Sequence, residues 1–275
     1  FHTAKSRNRY PRCMRTTRYA TLISSVCMTM NTSDLTNSKT LEISIVIPVY
    51  NERENLTMLD ERISKSIKPL NKNYEVILVD DGSVDGSAEL IRKLQDGNPH
   101  LRLIRFGRNY GQTAAFAAGF SKARGDIIVT MDADLQNDPA DIPLLLEKIN
   151  EYDVVCGWRY KRNDPWIKKL SSKIANSVRN ALSEESIADT GCSLKAFRRT
   201  CFTNIKLYHG MHRFFPTLMK MEGFSVTQVK VRHYSRVHGY SKYNIRNRLL
   251  TSFKDLLAIR WMKKRQINYD IIEED

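Results

Sequence analysis

Two aspartates one residue apart, Asp132 and Asp134, close an apolar run that extends over residues 126–131. A run of that length and those residue types is expected to form a buried parallel strand, so both carboxylates fall where strand gives way to loop. At the carboxyl edge of an open α/β sheet, where ligands bind, such a pair can share a divalent cation with a substrate diphosphate. An isolated Asp-x-Asp serves plain turn chemistry equally well. The chemical reading therefore depends on what other elements bring to the same edge.

Two further strand ends do so. Residues 43–47 form a short run, apolar but for Ser44, that stops at Pro48 ahead of Val49-Tyr50-Asn51-Glu52, and residues 76–79 run into Asp80-Asp81-Gly82-Ser83. Helices are expected over 53–67 and 85–94, a third strand over 101–106, a helix over 111–123 and a fifth strand over 154–158, ending at Arg159. Gly111, Ala115 and Gly119 share one small face of the 111–123 helix, which would let it approach the sheet closely. The alternation predicts an α/β fold with a mainly parallel sheet, right-handed crossovers and flanking helices. All three polar clusters then face one crevice.

Ile-Pro-Val-Tyr-Asn-Glu at 47–52, Val-Asp-Asp-Gly-Ser at 79–83 and Met-Asp-Ala-Asp-Leu-Gln at 131–136 resemble, in order and spacing, the nucleotide-sugar half of the inverting family 2 glycosyltransferases. Gly-Trp-Arg-Tyr at 157–160, Asp-Thr-Gly-Cys-Ser-Leu-Lys-Ala-Phe-Arg at 189–198 and Arg-Val-His-Gly-Tyr-Ser-Lys-Tyr at 236–243 resemble its polyprenyl-phosphate branch, typified by dolichol-phosphate mannose synthases and undecaprenyl-phosphate glycosyltransferases. The resemblance covers residues 41–265. It implies a GT-A (Rossmann-like) domain over 39–265, with a nucleotide-sugar half (39–150) and an acceptor half (151–265).

The resemblance also implies roles. Asp134 would hold Mg²⁺ or Mn²⁺, with Asp132 as a ligand directly or through water and Gln136 as a third. Pro48, Tyr50, Glu52 and Asp81 would hold the nucleobase and ribose. Arg236, Ser241 and Lys242 match a phosphate-binding loop in which Gly239 lets the backbone approach, with Arg236 counted beside the two aspartates as catalytic and Lys242 also on the nucleotide sugar. Arg159 would take the acceptor phosphate with its planar fork. Asp189 and Arg213 are acceptor-side candidates, Asp189 as an orienting group or a structural turn. The activity implied is transfer of a hexose, with inversion, to a polyprenyl phosphate, with mannose from GDP-mannose first and glucose or an amino sugar from UDP next. Transfer to a sugar or protein hydroxyl is the alternative.

Charge is consistent with an anionic partner. The net charge of +14 divides into +6 over residues 1–40, −4 over 41–150 and +12 over 151–275. An anionic membrane surface and nucleic acid both fit the basic half, but nucleic-acid binding leaves the three strand-end motifs unexplained and no RNA-recognition motif is visible. Residues 166–182 and 245–262 read as basic amphipathic helices, the second with Leu249, Phe253, Leu256 and Ile259 apolar and Trp261 beside Lys263-Lys264-Arg265. No stretch of 18 apolar residues occurs, so peripheral attachment to the cytoplasmic side of a membrane is expected. The five cysteines lack C-x-x-C spacing, Cys156 reads as a core residue, and His209, His212, His233 and His238 form no metal or triad pattern. Residues 1–38 are expected to be a disordered or mis-annotated tail, and 266–275 a short acidic one.

Overall fold

The computed structural model describes residues 41–160, 187–203, 205–236, 245–267 and 273, with the backbone alone over 245–252. The expected tail over 1–38, the basic helix expected over 166–182, His238, Gly239, Ser241, Lys242 and most of 266–275 lie outside them.

Strand β1, Ile43–Val49, is buried along almost its whole length. Its side chains divide by alternation: Ile43, Ile45, Ile47 and Val49 enter one core cluster, and Val46 enters another on the opposite face. A strand apolar on both sides has to be covered on both sides. Strand β2, Tyr74–Asp80, is buried throughout, and β3, Leu101–Arg105, lies beyond it. On the other side of β1 come β4 (Ile127–Thr130), β5 (Val154–Arg159), β6 (Lys195–Arg198) and β7 (Val226–Val231). The seven strands follow the order β3-β2-β1-β4-β6-β5-β7. β1 is parallel to β2 and β4, β2 to β3, and β5 to β7, whereas β6 runs antiparallel to both β4 and β5. This is the mixed, mainly parallel α/β sheet that the sequence predicts.

Helices α1 (Arg53–Ile67), α2 (Ser87–Gly97) and α4 (Ile142–Lys148) bury Leu56, Leu59, Ile63, Ile91 and Leu145 against the first face. Helices α3 (Gln112–Lys122), α5 (Phe215–Met221) and α6 (Ile245–Lys264) supply Phe116, Phe120, Phe215, Leu256 and Ile259 to the second. The small face of α3 packs as expected: a Cβ at Gly119 would lie 2.2 Å from Val46 Cγ1. Helix α6 departs from its expected single stripe. Leu256 and Ile259 are buried, but Phe253 is 52% exposed, with Leu257 at 45% and Trp261 at 62%. Residues four apart share a helix face, so Phe253, Leu257 and Trp261 form a second apolar ridge turned away from the core. The expected stripe had joined Phe253 to the buried side because a period of about 3.6 tolerates either face for a residue near the boundary.

Cys156, Cys192 and Cys201 are buried free thiols, and burial pushes the Cys156 thiol up to about 12. At the amino edge of the sheet, buried Glu75 on β2 accepts from Ser44 Oγ at 2.6 Å and from the Arg124 N–H at 2.8 Å, and pairs with Arg102. Ser44 Oγ in turn accepts the Gly125 N–H at 2.8 Å, which pins the turn entering β4. Burial acts to raise the Glu75 carboxyl; the bonds from Ser44, Arg102 and Arg124 outweigh it and hold the group below its ordinary value. A depressed carboxyl contributes stability that is present above its unfolded pKa and lost as pH falls through the folded one. We expect Glu75→Gln to lower unfolding free energy by about 2 kcal/mol at pH 7. The gap to wild type should close as pH drops below about 4, as read by urea unfolding at several pH values; a pH-independent gap would contradict the network.

Candidate functional site

The carboxyl ends of β1, β2 and β4 bring the three polar clusters to one edge, as register requires: Val49 lies opposite Asp80, and Val46 opposite Thr130. Beyond β1, where Pro48 is the strand's one half-buried position and Tyr50 is 37% exposed, Asn51 adopts a left-handed φ of 53°. Its N–H donates to Ser83 Oγ at 2.9 Å, and its side-chain oxygen accepts the Val84 N–H at 2.9 Å. The Glu52 carboxylate accepts from Asn55 Nδ2 at 2.7 Å, and its N–H donates to Ser87 Oγ at 3.2 Å. The first two strand ends are thus locked together.

Asp81, 3% exposed, accepts the Tyr110 and Gly111 N–H groups at 2.7 and 2.9 Å. Burial keeps its carboxyl above the ordinary value although both N–H groups oppose that. At Gly82 (φ 75°) a Cβ would meet the Arg108 carbonyl carbon at 2.4 Å, so only glycine lets the two turns touch.

The acidic pair is the centre of the edge. Gln112 Nε2, on the first residue of α3, donates to Asp132 Oδ1 at 2.7 Å. Burial and the neighbouring Asp134 charge push the Asp132 carboxyl up to about 6, against a Ser193 hydrogen bond and the Lys195 and Arg159 charges. Asp134, 7% exposed, accepts the Gln136 N–H on Oδ1 at 3.2 Å and an Arg236 guanidinium N–H on Oδ2 at 2.9 Å. Between the aspartates and Gln136, Leu135 is fully buried with φ 60°. A leucine there costs about 1–3 kcal/mol, a strain typical of functional loops.

Gln136 meets Asp134 through its backbone N–H, and its side-chain amide reaches Tyr234 O at 3.5 Å. Among the described residues no three His, Cys, Asp or Glu side chains gather as a metal cage. Two carboxylates at an open edge are the donor set of a hard cation such as Mg²⁺ or Mn²⁺, which takes its remaining oxygens from water and substrate phosphate; they do not suit a closed zinc site. The residues present fit the cation expected from the sequence.

On the acceptor side Arg159, expected at a phosphate, is paired with Asp189. One edge of its fork is engaged by Asp189, which lies 2.7 Å from Nε and 2.8 Å from Nη2, and its backbone N–H reaches Asp189 Oδ2 at 3.3 Å. The pair is largely buried and fixes its loop further through the Gly191 N–H on Asp189 Oδ1 at 3.1 Å. Asp189 therefore orients both the loop and the arginine. A fork that fits a phosphate fits a carboxylate equally well, and the sequence did not say which of the two it meets. Arg213 lies in a short 3-10 turn, Met211–Phe214, where its charge acts on Asp255 of α6. His212 Nδ1 lies 2.8 Å from Thr113 Oγ1, a structural contact.

Four residues at this edge were not anticipated: Gln112, Ser193, Lys195 and Asn137. Asn137 Nδ2 donates to Ser193 Oγ at 2.6 Å, and Lys195, 3% exposed, donates to the Cys192 carbonyl. A lone lysine among Leu194, Ala196 and Phe197 was the available signal, since a buried ammonium needs negative surroundings.

The family model for glycosyl transferase family 2 matches residues 44–206. The chain is 41% identical over 225 residues, covering 81% of it and 69% of the relative, to an undecaprenyl-phosphate 4-deoxy-4-formamido-L-arabinose transferase from Proteus mirabilis (strain HI4320). Among solved structures it is similar to glucosyl-3-phosphoglycerate synthase from Mycobacterium tuberculosis, in complex with Mn²⁺, UDP and glucosyl-3-phosphoglycerate (TM-score 0.59, 18% identity, 83% of this chain and 81% of that one). It is likewise similar to a mannosyltransferase from Pyrobaculum calidifontis in complex with GDP-Man and Mn²⁺ (TM-score 0.59, 18% identity, 85% and 67%).

The Arg159–Asp189 geometry generates a double-mutant test. Arg159→Met and Asp189→Asn should each destabilise by about 2–4 kcal/mol, because each strands its partner's charge or hydrogen bonds. The double variant should be more stable than the sum of the two losses by about 1–3 kcal/mol. Additive losses in urea unfolding would show that the pair does not organise the loop.

Proposed function

The chain belongs to glycosyl transferase family 2, and from that premise we propose that it moves one glycosyl group, with inversion, from a nucleoside diphosphate sugar to the phosphate of a polyprenyl phosphate. It is a glycosyltransferase of the GT-A fold. The observation that carries the choice of acceptor is the 41% identity, sustained over 225 residues, to a transferase named for undecaprenyl phosphate. That relative's sugar is a nitrogen-bearing deoxy sugar, which favours an amino-type donor over the mannose first expected.

In the proposed reaction an acceptor phosphate oxygen bonds to the anomeric carbon from the face opposite the leaving group. The electron pair of the broken C–O bond departs with the nucleoside diphosphate. Asp134 and Asp132, with Gln136 beside them, would hold Mg²⁺ or Mn²⁺, which when bound neutralises charge developing on the departing phosphate oxygens. Asp81, Glu52, Tyr50 and Pro48 line the ends of β1 and β2, where base and ribose would lie. Glu52 and Asp81 can accept from sugar hydroxyl or base N–H groups. Arg236, Ser241 and Lys242 would form the phosphate loop, and Arg159 contributes charge from within its pair with Asp189. A phosphate monoester has a second pKa of about 6 and is anionic at pH 7, so the reaction needs orientation and desolvation rather than a general base.

Reaching a lipid phosphate requires a membrane surface. Among the described residues no helix is long and apolar enough to cross one. The ridge of Phe253, Leu257 and Trp261 on α6 instead suits peripheral docking on an anionic, cytoplasmic-side surface: exposed Lys254 and Lys264 flank it, and the Arg265 guanidinium sits 5.8 Å from the Trp261 ring. Aromatic groups beside basic ones favour that interface.

Two experiments test this reading. Supplied with UDP- and GDP-sugars and a divalent cation, the protein should glycosylate polyprenyl phosphate and leave the matching polyprenol unmodified, and Asp134→Ala should remove most of that activity without unfolding the chain. Efficient transfer to the free alcohol would overturn the acceptor. In vesicle sedimentation, binding should rise with anionic lipid and fall with salt, at about 1 kcal/mol per basic residue near the surface. Leu257→Asp with Trp261→Glu should weaken it strongly. Unchanged binding in that double variant would remove α6 from the membrane contact.

A further inference from the structure

Arg236 and a cation would claim the same oxygen. The guanidinium donates to Asp134 Oδ2 at 2.9 Å, with side-chain exposures of 29% and 9% for the two partners. The backbone that leads to Arg236 is tied to the stretch following Asp134 independently of this contact. The Tyr234 N–H donates to Gln136 O at 2.9 Å, and His233 forms a bridge with Asn137. Arg232 is bound to Asp141 through its backbone N–H at 2.6 Å and its Nε at 2.8 Å. Residues 231–234 thus run along 136–141 as a short fixed ribbon. A change of rotamer at Arg236 would free Asp134 without moving that ribbon.

Resting on the metal-and-diphosphate reading above, we infer that Arg236 is an exchangeable counter-charge: it neutralises Asp134 until a divalent cation takes that carboxylate, and the displaced guanidinium then binds the donor diphosphate. Two cationic groups on one carboxylate oxygen repel each other, so occupancy by one opposes the other. The released fork remains tethered a side chain's length from the acidic pair, where a diphosphate shared with the cation has to lie. A planar fork matches phosphate oxygens bidentately. Cation and nucleotide are then linked through Arg236, and by reciprocity each raises the affinity for the other.

The signature is a pair of opposite effects, which a merely packing residue would not produce. Mn²⁺ is titrated without nucleotide, following the free-ion electron paramagnetic resonance signal, against wild type, Arg236→Met, Arg236→Lys and Asp134→Asn. UDP and GDP are then titrated calorimetrically at saturating Mn²⁺. Arg236→Met should bind Mn²⁺ more tightly, by about fivefold, the equivalent of one partly exposed ion pair. It should bind the better of the two nucleotides more weakly, by about tenfold. Arg236→Lys, which keeps the charge and guards against a folding defect, should fall between it and wild type in both. Unchanged or weaker Mn²⁺ binding by Arg236→Met, with Asp134→Asn abolishing it, would overturn the exchange and leave the metal site standing. Failure of wild type to bind Mn²⁺, or binding by Asp134→Asn as tight as wild type, would overturn the metal reading and the exchange together.

Discussion

Two like charges held side by side at the edge of a low-dielectric sheet are the constraint around which this molecule is arranged. Burial, and next the charge of Asp134 beside it, push the Asp132 carboxyl up to about 6. The chain surrounds the pair with donors and positive charge from four elements: Gln112 from the start of α3, Ser193 and Lys195 from the segment entering β6, Arg159 from the end of β5, and Arg236 beyond β7. These elements are distant in sequence. The sheet order makes them neighbours, because antiparallel β6 is inserted between β4 and β5 and pairs Thr130 with Lys195. A wholly parallel sheet of the same strands would not bring that lysine to the acidic end.

The same constraint accounts for rigidity in the loops. An acidic pair is useful only if its oxygens stay convergent while they repel, so the backbone beneath them has to be over-determined. Buried Leu135 at positive φ and the Gln136 N–H on Asp134 hold the loop on one side, and Asn137 on Ser193 Oγ ties it to the β6 segment. Near β2, Asp81 spends both carboxylate oxygens on the turn into α3, and Gly82 admits the Arg108 backbone. Carboxylate lone pairs exceed the bonds already made. A group that orders the loop can therefore also face a ligand.

Much of this was legible in the sequence. Apolar runs and the Asp-rich turns located β1, β2 and β4, although β1 passes through Pro48 to Val49, and α1 begins and ends where periodicity places it. Local signals of that kind are strong because each element writes its own pattern. Contacts made across the sheet were not legible. The Asp189 partner of Arg159 was not legible because nothing local marks a carboxylate partner thirty residues away. Gln112 and Lys195 passed unnoticed because their importance comes from strand order. On α6 the pattern located the helix but not its orientation, since a helix with apolar residues on two faces has no single moment to read.

That double-faced helix bears on how the two halves of the site can act together. Leu256 and Ile259 anchor α6 in the core cluster that holds Phe116 and Phe215, and Phe116 lies on α3, whose first residue is Gln112. Asp255 of the same helix touches Gly210, whose N–H donates to Thr113 Oγ1, again on α3. Among the described residues, packed side chains of α6 and α3 thus connect the Phe253–Leu257–Trp261 ridge to the residue that holds Asp132. A surface held on that ridge would be presented at a fixed distance from the sheet edge. For the proposed acceptor, whose reactive phosphate would be attached to a membrane-bound chain, a fixed distance is what orientation requires.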